Sequence, residues 1–211
     1  MAPRVRLYFH PVSHYCVAAD RMLAWKGVPH ELVYTPYHDH EALLRRTGQD
    51  YIPTLIWGDE VVTWSEIPEF LDRVQPEPKL LPPGRAALAK AIRDWAHQVV
   101  EERVWRAVVT DMPPVLRTDQ ERWVFEEMQT RARGPWHVLR MRRNEFAGEL
   151  GPYFALIDRM LDGRAWVLDE PSAADFALYG ALSPWTTAGR KLPRRHRNLA
   201  RWAASIRRLD A

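Results

Sequence analysis

Hydrophobic residues in the first third of the chain follow two alternating patterns. Short runs rich in β-branched and aromatic residues are typical of strands, and they occur at 5–9, 31–34, 54–57 and 60–63. Apolar residues at helical spacing lie between them, at 15–26 and 39–47. Gly27 and Gly48 follow these two segments, as expected of the left-handed residue that ends many helices. The pattern therefore predicts two βα units and then two further strands.

A hairpin and a capped helix are predicted next. Gly58-Asp59 separates the last two strands and is typical of a tight turn, so these strands should pair antiparallel. Thr63 and Glu66 have the spacing of a capping box, in which each side chain bonds to the other's backbone. Apolar residues then recur at helical spacing, at positions 67, 70, 71 and 74. The complete order is βαβα followed by ββα.

A proline-rich segment divides the chain. Residues 75–84 read QPEPKLLPPG, and their four prolines and one glycine stop any regular element. The pattern beyond them is almost wholly helical, with predicted helices near 85–109, 119–133, 144–161, 173–182 and 196–208. The predicted organisation is an α/β domain at 1–76, a linker at 77–84 and an all-α domain at 85–211.

Composition limits the possible functions. Hydrophobic residues make up 46% and charged residues 27%, as in ordinary globular proteins, and no apolar stretch approaches the roughly 20 residues of a membrane span. The N-terminus lacks a secretory signal, so we expect a cytoplasmic protein. The net charge is only +3 and basic residues are interspersed with acidic ones, which argues against a nucleic-acid partner. The spacing of His38 and His40 suits no metal, and one cysteine, Cys16, excludes an internal disulfide.

Four local motifs carry a family resemblance. Ser13-His14-Tyr15-Cys16 stands where glutaredoxins have C-P-Y-C, and Ile52-Pro53-Thr54-Leu55 resembles the V-P-x-L segment of thioredoxin-like proteins, whose proline is cis. Near the C-terminus, residues 171–177 (PSAADFA) look like an N-capping segment, and 198–206 fit N-L-x-x-W-x-x-x-I. Together these motifs resemble the cytosolic glutathione S-transferase family over nearly the whole chain. The S-H-Y-C start looks most like a serine-type group of bacterial and plant members.

The resemblance implies a fold and a catalytic residue. The fold is a thioredoxin-like α/β N-terminal domain plus an all-α C-terminal helical domain. The nucleophile of such chemistry is a thiolate, so catalysis needs hydrogen-bond donors and positive potential at the sulfur of glutathione. Ser13 offers a hydroxyl at the start of a helix, where free N–H groups and the helix dipole favour an anion. The alternative is that Ser13 only caps this helix. Tyr8 and Cys16 remain alternative groups acting on the thiol.

The resemblance also implies binding residues. Ile52, before the expected cis Pro53, should pair its backbone with the cysteinyl part of glutathione. The family binds the γ-glutamyl carboxylate with an acidic–serine pair at the start of the third helix. Here Trp64 falls at the serine position and Ser65 one residue later, and this departure puts ordinary glutathione affinity in question. Gln49 is a candidate for the glycyl end. The candidate residues of an apolar substrate pocket are Trp105, Val109, Met112 and Trp136.

We therefore expect a glutathione transferase that attacks a hydrophobic electrophile, with glutathione as co-substrate and no metal. A homodimer and a role in detoxification follow from the same resemblance. Two alternatives stay open. One is a non-catalytic binding or scaffold protein of the same fold, and the other is a glutathione thiol–disulfide reductase that depends on Cys16.

Overall fold

The computed structural model describes residues 3–209. Its first domain contains one sheet of four strands in the order β2-β1-β3-β4. Strands β1 and β2 are parallel, whereas β3 is antiparallel to both β1 and β4. In chain order the elements are β1 (Val5–Phe9), α1 (His14–Trp25), β2 (Glu31–Tyr34), α2 (Glu41–Thr47), β3 (Thr54–Trp57), β4 (Glu60–Thr63) and α3 (Ile67–Val74). The predicted βαβα–ββα order is confirmed.

The two faces of the sheet bury different residues. Side chains alternate along a strand, so Val5 and Leu7 of β1 join the main core beneath α1 and α3. Tyr8 follows Leu7, so its side chain lies on the other face, where it packs with Leu43 of α2 and Ile56 of β3. The predicted bounds of all four strands agree with the structure.

Residues 75–85 lead to a helical domain. Its helices are α4 (Ala86–Trp95), α5 (Glu101–Val108), α6 (Asp119–Arg133), α7 (Trp136–Glu149), α8 (Gly151–Met160), α9 (Ala173–Thr187) and α10 (Arg197–Arg207). A π-helical turn, Ala96–Val100, joins α4 to α5. No helix within residues 3–209 is long and apolar enough to cross a membrane.

Three predicted helices differ from the structure. The helix predicted at 85–109 is divided into α4 and α5 by the π-helical turn. The segment predicted as one helix at 144–161 is split, because α7 begins at Trp136 and Pro152 lies in the first turn of a new helix, α8. The helix predicted to end at 182 continues through Pro184 to Thr187. Proline cannot donate to the carbonyl of Gly180, but the Ser183 hydroxyl donates to that oxygen at 2.7 Å. A side chain thus replaces the missing backbone bond.

Helix α9 is buried against α1 and joins the two domains. A Cβ atom on Gly180 would collide with the backbone of His14 and the side chain of Ala18, so glycine permits the close approach. The predicted capping box at the start of α9 is confirmed, with Ser172 and Asp175 bonded reciprocally. Asp175 also accepts a hydrogen bond from Trp202 Nε1 at 2.9 Å. This packing holds the N-terminus of α1 at the boundary between the domains.

Candidate active site

Ser13 lies at the start of α1, as predicted. Its Oγ accepts a hydrogen bond from the backbone N–H of Cys16 at 3.4 Å, so it caps the helix. A hydroxyl has one hydrogen to donate as well as two lone pairs, so accepting this bond leaves the O–H free for another partner. Capping the helix and donating to a bound sulfur are therefore compatible roles for one side chain.

The Ile52–Pro53 peptide bond is cis, as the motif predicts. Thr54 pairs with Tyr8 across the β3–β1 ladder, so the start of β3 lies at the same sheet edge as the end of β1. The β1–α1 connection that carries Ser13 leaves from this edge. Among residues 3–209, the N–H and C=O groups of Ile52 have no backbone partner. They are available to pair with an extended ligand.

An open groove of about 340 Å³ lies beside this edge. Its size falls in the usual range for small-ligand sites, which begins at about 300 Å³. The groove is bounded by aromatic, aliphatic and hydroxyl side chains: Tyr15, Tyr51, Ile52, Thr63, Trp64 and Ser65. Three predicted glutathione-binding residues thus line one groove. Pro53 is buried directly after Ile52, and Gln49 is half-buried on the loop that leads to them.

The segment before α3 forms one wall of the groove. The capping box of Thr63 and Glu66 is confirmed. The Trp64 ring packs against Tyr15, with ring centroids 4.4 Å apart, and meets His97 edge-on at 5.1 Å. Ser65 stays exposed. Trp64 therefore serves as an aromatic wall, and Ser65 supplies the polar group at this end.

Three residues near the groove were missed by the sequence reasoning. Arg93 of α4 donates from Nη1 to the carbonyl oxygen of Ser65 at 3.4 Å and brings positive charge to that end. His97 comes from the π-helical turn. No local signal marks either residue, because both come from the other domain. Tyr15 lies inside the S-H-Y-C motif and could have been found from its place in the first turn of α1.

The two alternative thiol-acting residues occupy different environments. Cys16 has no exposed surface, and burial raises the pKa of its thiol to about 12. Its Sγ–H points to the carbonyl oxygen of Tyr8 at 4.0 Å. A buried, protonated thiol is a poor nucleophile, which argues against a reductase that depends on Cys16. Tyr8 is only 8% exposed and packs on the α2 side of the sheet.

The predicted apolar pocket needs correction. Val109 and Met112 have no exposed surface, and Trp105 is only 3% exposed. These three side chains belong to the packed interior of the helical domain, so they cannot contact a substrate in this arrangement. Trp136 is half-buried and packs against Phe125, with centroids 6.5 Å apart. Apolar spacing on the helices marked the core here, not a pocket.

A polar cluster fills the domain boundary behind Tyr15. His14 accepts from Trp105 Nε1 at 3.5 Å, and Arg133 donates to Glu101 at 2.9 Å. Burial raises the pKa of Glu101 to about 7 and lowers the pKa of His97 to about 3. Burial also lowers the pKa of His14, and the neighbouring His97 adds to this effect. Both histidines are therefore neutral near pH 7. No group of three metal-ligating side chains occurs in residues 3–209.

The geometry defines a class of protein: a thioredoxin-like domain whose cis-proline edge borders a groove together with Tyr15 of α1, packed against a helical domain. Ser13 itself is 7% exposed and is not among the side chains that line this groove. Residues 7–79 match the family model described as "Glutathione S-transferase, N-terminal domain". No curated protein matches the chain.

Solved structures extend the likeness to the whole chain. A glutathione S-transferase of Ceriporiopsis subvermispora in complex with glutathione has 17% identity and a TM-score of 0.78, with 99% of this chain and 98% of that chain covered. Glutaredoxin 2 of Salmonella typhimurium, also with glutathione, has 19% identity and a TM-score of 0.77, covering 96% and 92%. A glutathione S-transferase of Methylobacterium radiotolerans with glutathione sulfonate has 26% identity and a TM-score of 0.64, covering 97% and 91%.

The chain thus has the glutathione S-transferase fold. Residues 7–79 resemble the N-terminal domain of the glutathione S-transferase family, and the neighbours show the fold of the whole chain.

Proposed function

We propose that the protein is a glutathione transferase of the serine type, in which Ser13 stabilises bound glutathione as a thiolate. The observation that carries this proposal is the groove beside cis Pro53, since it brings the free backbone of Ile52 and the start of α1 to one sheet edge. Neighbours solved with glutathione support the choice of ligand.

Backbone pairing would hold the middle of the tripeptide. The N–H and C=O groups of Ile52 would pair with the cysteinyl residue as a short strand does, because they have no backbone partner within residues 3–209. Gln49 lies on the adjoining loop and would contact the glycyl end. This arrangement would direct the cysteinyl sulfur toward the N-terminus of α1, where Ser13 lies.

The γ-glutamyl end would be bound without the family's acidic–serine pair. Trp64 and Ser65 supply N–H groups at the start of a helical segment, and these favour a carboxylate. The Arg93 guanidinium, which donates to the Ser65 carbonyl, adds positive charge at the same place. Arg93 therefore offsets the departure from the family pattern.

Thiolate formation is the chemical step assigned to this chain. The thiol proton leaves to solvent, and the Ser13 O–H donates to the sulfur while the helix dipole stabilises its charge. The sulfur electron pair then forms a C–S bond with an electrophilic carbon, whose leaving group departs with its bonding pair. Proximity in the groove supplies much of the acceleration. The electrophile would rest against the rings of Tyr15 and Trp64, with Trp136 as a further candidate. We also propose a cytoplasmic homodimer that acts in detoxification.

Calorimetric titration with reduced glutathione, together with thiolate absorbance across pH, tests the proposal. Binding with a thiol pKa well below the free value of about 8.5 is the expected result. Absence of binding at millimolar glutathione would refute it and would favour the scaffold alternative. Binding with an unshifted thiol pKa would retain the ligand but reject the transferase mechanism. The Glu127→Ala variant, substituted on an exposed face of α6, controls for effects of mutation and purification that are unrelated to the site.

A further inference from the structure

A buried carboxylate of the helical domain lies directly against the loop that carries Ser13. Glu121, in the first turn of α6, has no exposed surface. It accepts hydrogen bonds from His10 Nε2 at 2.9 Å, Tyr34 O–H at 2.8 Å and the Arg117 N–H at 2.9 Å, and a longer one from the Tyr37 N–H at 3.3 Å. Four groups thus converge on one carboxylate, and three of them belong to the thioredoxin-like domain.

His10 connects this carboxylate to the Ser13 loop. It also has no exposed surface, and its Nδ1 accepts a hydrogen bond from the Val12 N–H at 3.2 Å. The Nδ1 atom must therefore carry a lone pair, and the hydrogen lies on Nε2, which donates to Glu121. The His10 carbonyl oxygen accepts from the Ser13 N–H at 3.0 Å. The side chain and the backbone of His10 thus each accept a hydrogen bond from the loop, the first from Val12 and the second from Ser13.

The charge state of the network suits this role. Burial lowers the pKa of His10, so the ring is neutral near pH 7. Although burial acts to raise the pKa of Glu121, the hydrogen bonds from Arg117, Tyr34 and His10 leave it lowered, so the carboxylate stays ionised. Both ring nitrogens of His10 are occupied. His10 is therefore unsuited to move protons and suited to hold position.

We propose that Glu121 and His10 are positioning residues that make the geometry of the Ser13 loop depend on docking of α6. This inference rests on the proposed function, because it assigns the two residues a task in placing the thiol-activating hydroxyl. They contact neither the sulfur nor the electrophile. The pair spans 111 positions of the sequence, so the thiol site is complete only when both domains are packed together.

Hydrogen exchange measured by mass spectrometry on the whole protein tests the positioning role without a ligand. The Glu121→Ala variant should exchange about tenfold faster at the amides of Val12 and Ser13, as expected for one buried hydrogen-bonded network that is lost. Exchange in α9 should stay at the parent rate. Glu121→Gln keeps one oxygen that can accept from His10, so it should restore part of the protection. Glu127→Ala is the matched control on the same helix.

Two substitutions of His10 separate its two bonds. His10→Gln retains a donor toward Glu121 but lacks the Nδ1 acceptor, and His10→Asn retains an acceptor near Val12 but cannot reach Glu121. Both variants should loosen the Ser13 loop, because the chain of contacts needs both ends. Tyr34→Phe removes another donor to the same carboxylate, and its hydroxyl also lies 3.2 Å from His10 Nε2. Because this variant keeps both His10 bonds, to Glu121 and to the Val12 N–H, it should raise loop exchange less than either His10 variant.

Glutathione supplies the second readout. Glu121→Ala should raise the pKa of the bound thiol toward the free value of about 8.5 and lower kcat more than it raises KM. Equal acceleration of exchange in α9 and in the loop would overturn the inference, since the role would then be structural only. An unchanged thiol pKa with a loosened loop would also overturn it. Failure of the parent protein to bind glutathione would refute the proposed function instead. Glutathione binding by the parent protein is therefore measured before any variant is compared.

Discussion

The sharpest test of the thiolate mechanism is the Ser13→Ala variant. The substitution removes two things: the cap on the Cys16 N–H and the hydroxyl that would donate to the glutathione sulfur. The cap bond is long at 3.4 Å, so its loss should cost less than about 1 kcal/mol of folding free energy. For a chain of this size that corresponds to a fall in Tm of no more than about 4 °C. The protein should therefore stay folded.

The effect on the thiol should be larger. A hydrogen bond to a charged group contributes about 1.5–3 kcal/mol. Since one pKa unit corresponds to about 1.4 kcal/mol, the pKa of bound glutathione should rise by about 1–2 units. Turnover with a reactive electrophile at slightly acidic pH should then fall about 10- to 100-fold, while the affinity for glutathione changes little.

The assay is the absorbance of the thiolate as a function of pH, with the Ser13→Thr variant as a control that keeps the hydroxyl. Tyr8→Phe is measured in parallel, because Tyr8 is the remaining alternative donor. A thiol pKa in Ser13→Ala equal to that of the parent protein would refute the reasoning. If the pKa rises in Tyr8→Phe instead, the donor is the tyrosine.

Three further predictions follow from buried groups. Cys16→Ala should keep full transferase activity, and the parent thiol should react with a disulfide reagent only after denaturation, since its pKa is about 12; rapid reaction of the folded protein would contradict this. Asp175→Ala should lower the free energy of unfolding in urea by about 3 kcal/mol or more, because it strands several buried donors, the Trp202 N–H among them; Asp162→Ala, on the surface, is the control. Glu101 has a pKa of about 7 in the folded protein, above its unfolded value of 4.5. The folded state therefore binds more protons between pH 4.5 and 7, and the stability that Glu101 contributes falls as the pH rises through this range. Glu101→Gln should remove that pH-dependent component, measured as the difference in unfolding free energy from the parent protein.

Much of the fold could be predicted because its signals are local. Strand alternation, the glycines after α1 and α2, and the two capping boxes each involve residues within a few positions of one another. The cis peptide at Pro53 belongs to a short motif and was predicted in the same way. Prediction failed at Pro184, where the rule that proline ends a helix was offset by the neighbouring Ser183, whose hydroxyl replaces the missing backbone bond.

The residues of the candidate site also fall into two groups, those predictable from local sequence and those fixed by tertiary contacts. Ser13, Ile52 and Ser65 lie at the ends of elements, and the sequence alone determined that they come near one sheet edge, because topology brings strand ends together. Only the tertiary structure decided which residues of the helical domain meet them. Arg93 reaches Ser65 and Glu121 reaches His10 across separations of 28 and 111 positions, which no local pattern encodes. Burial was decided in the same way: Met112 has no exposed surface, and its exclusion from solvent depends on contacts distant in sequence.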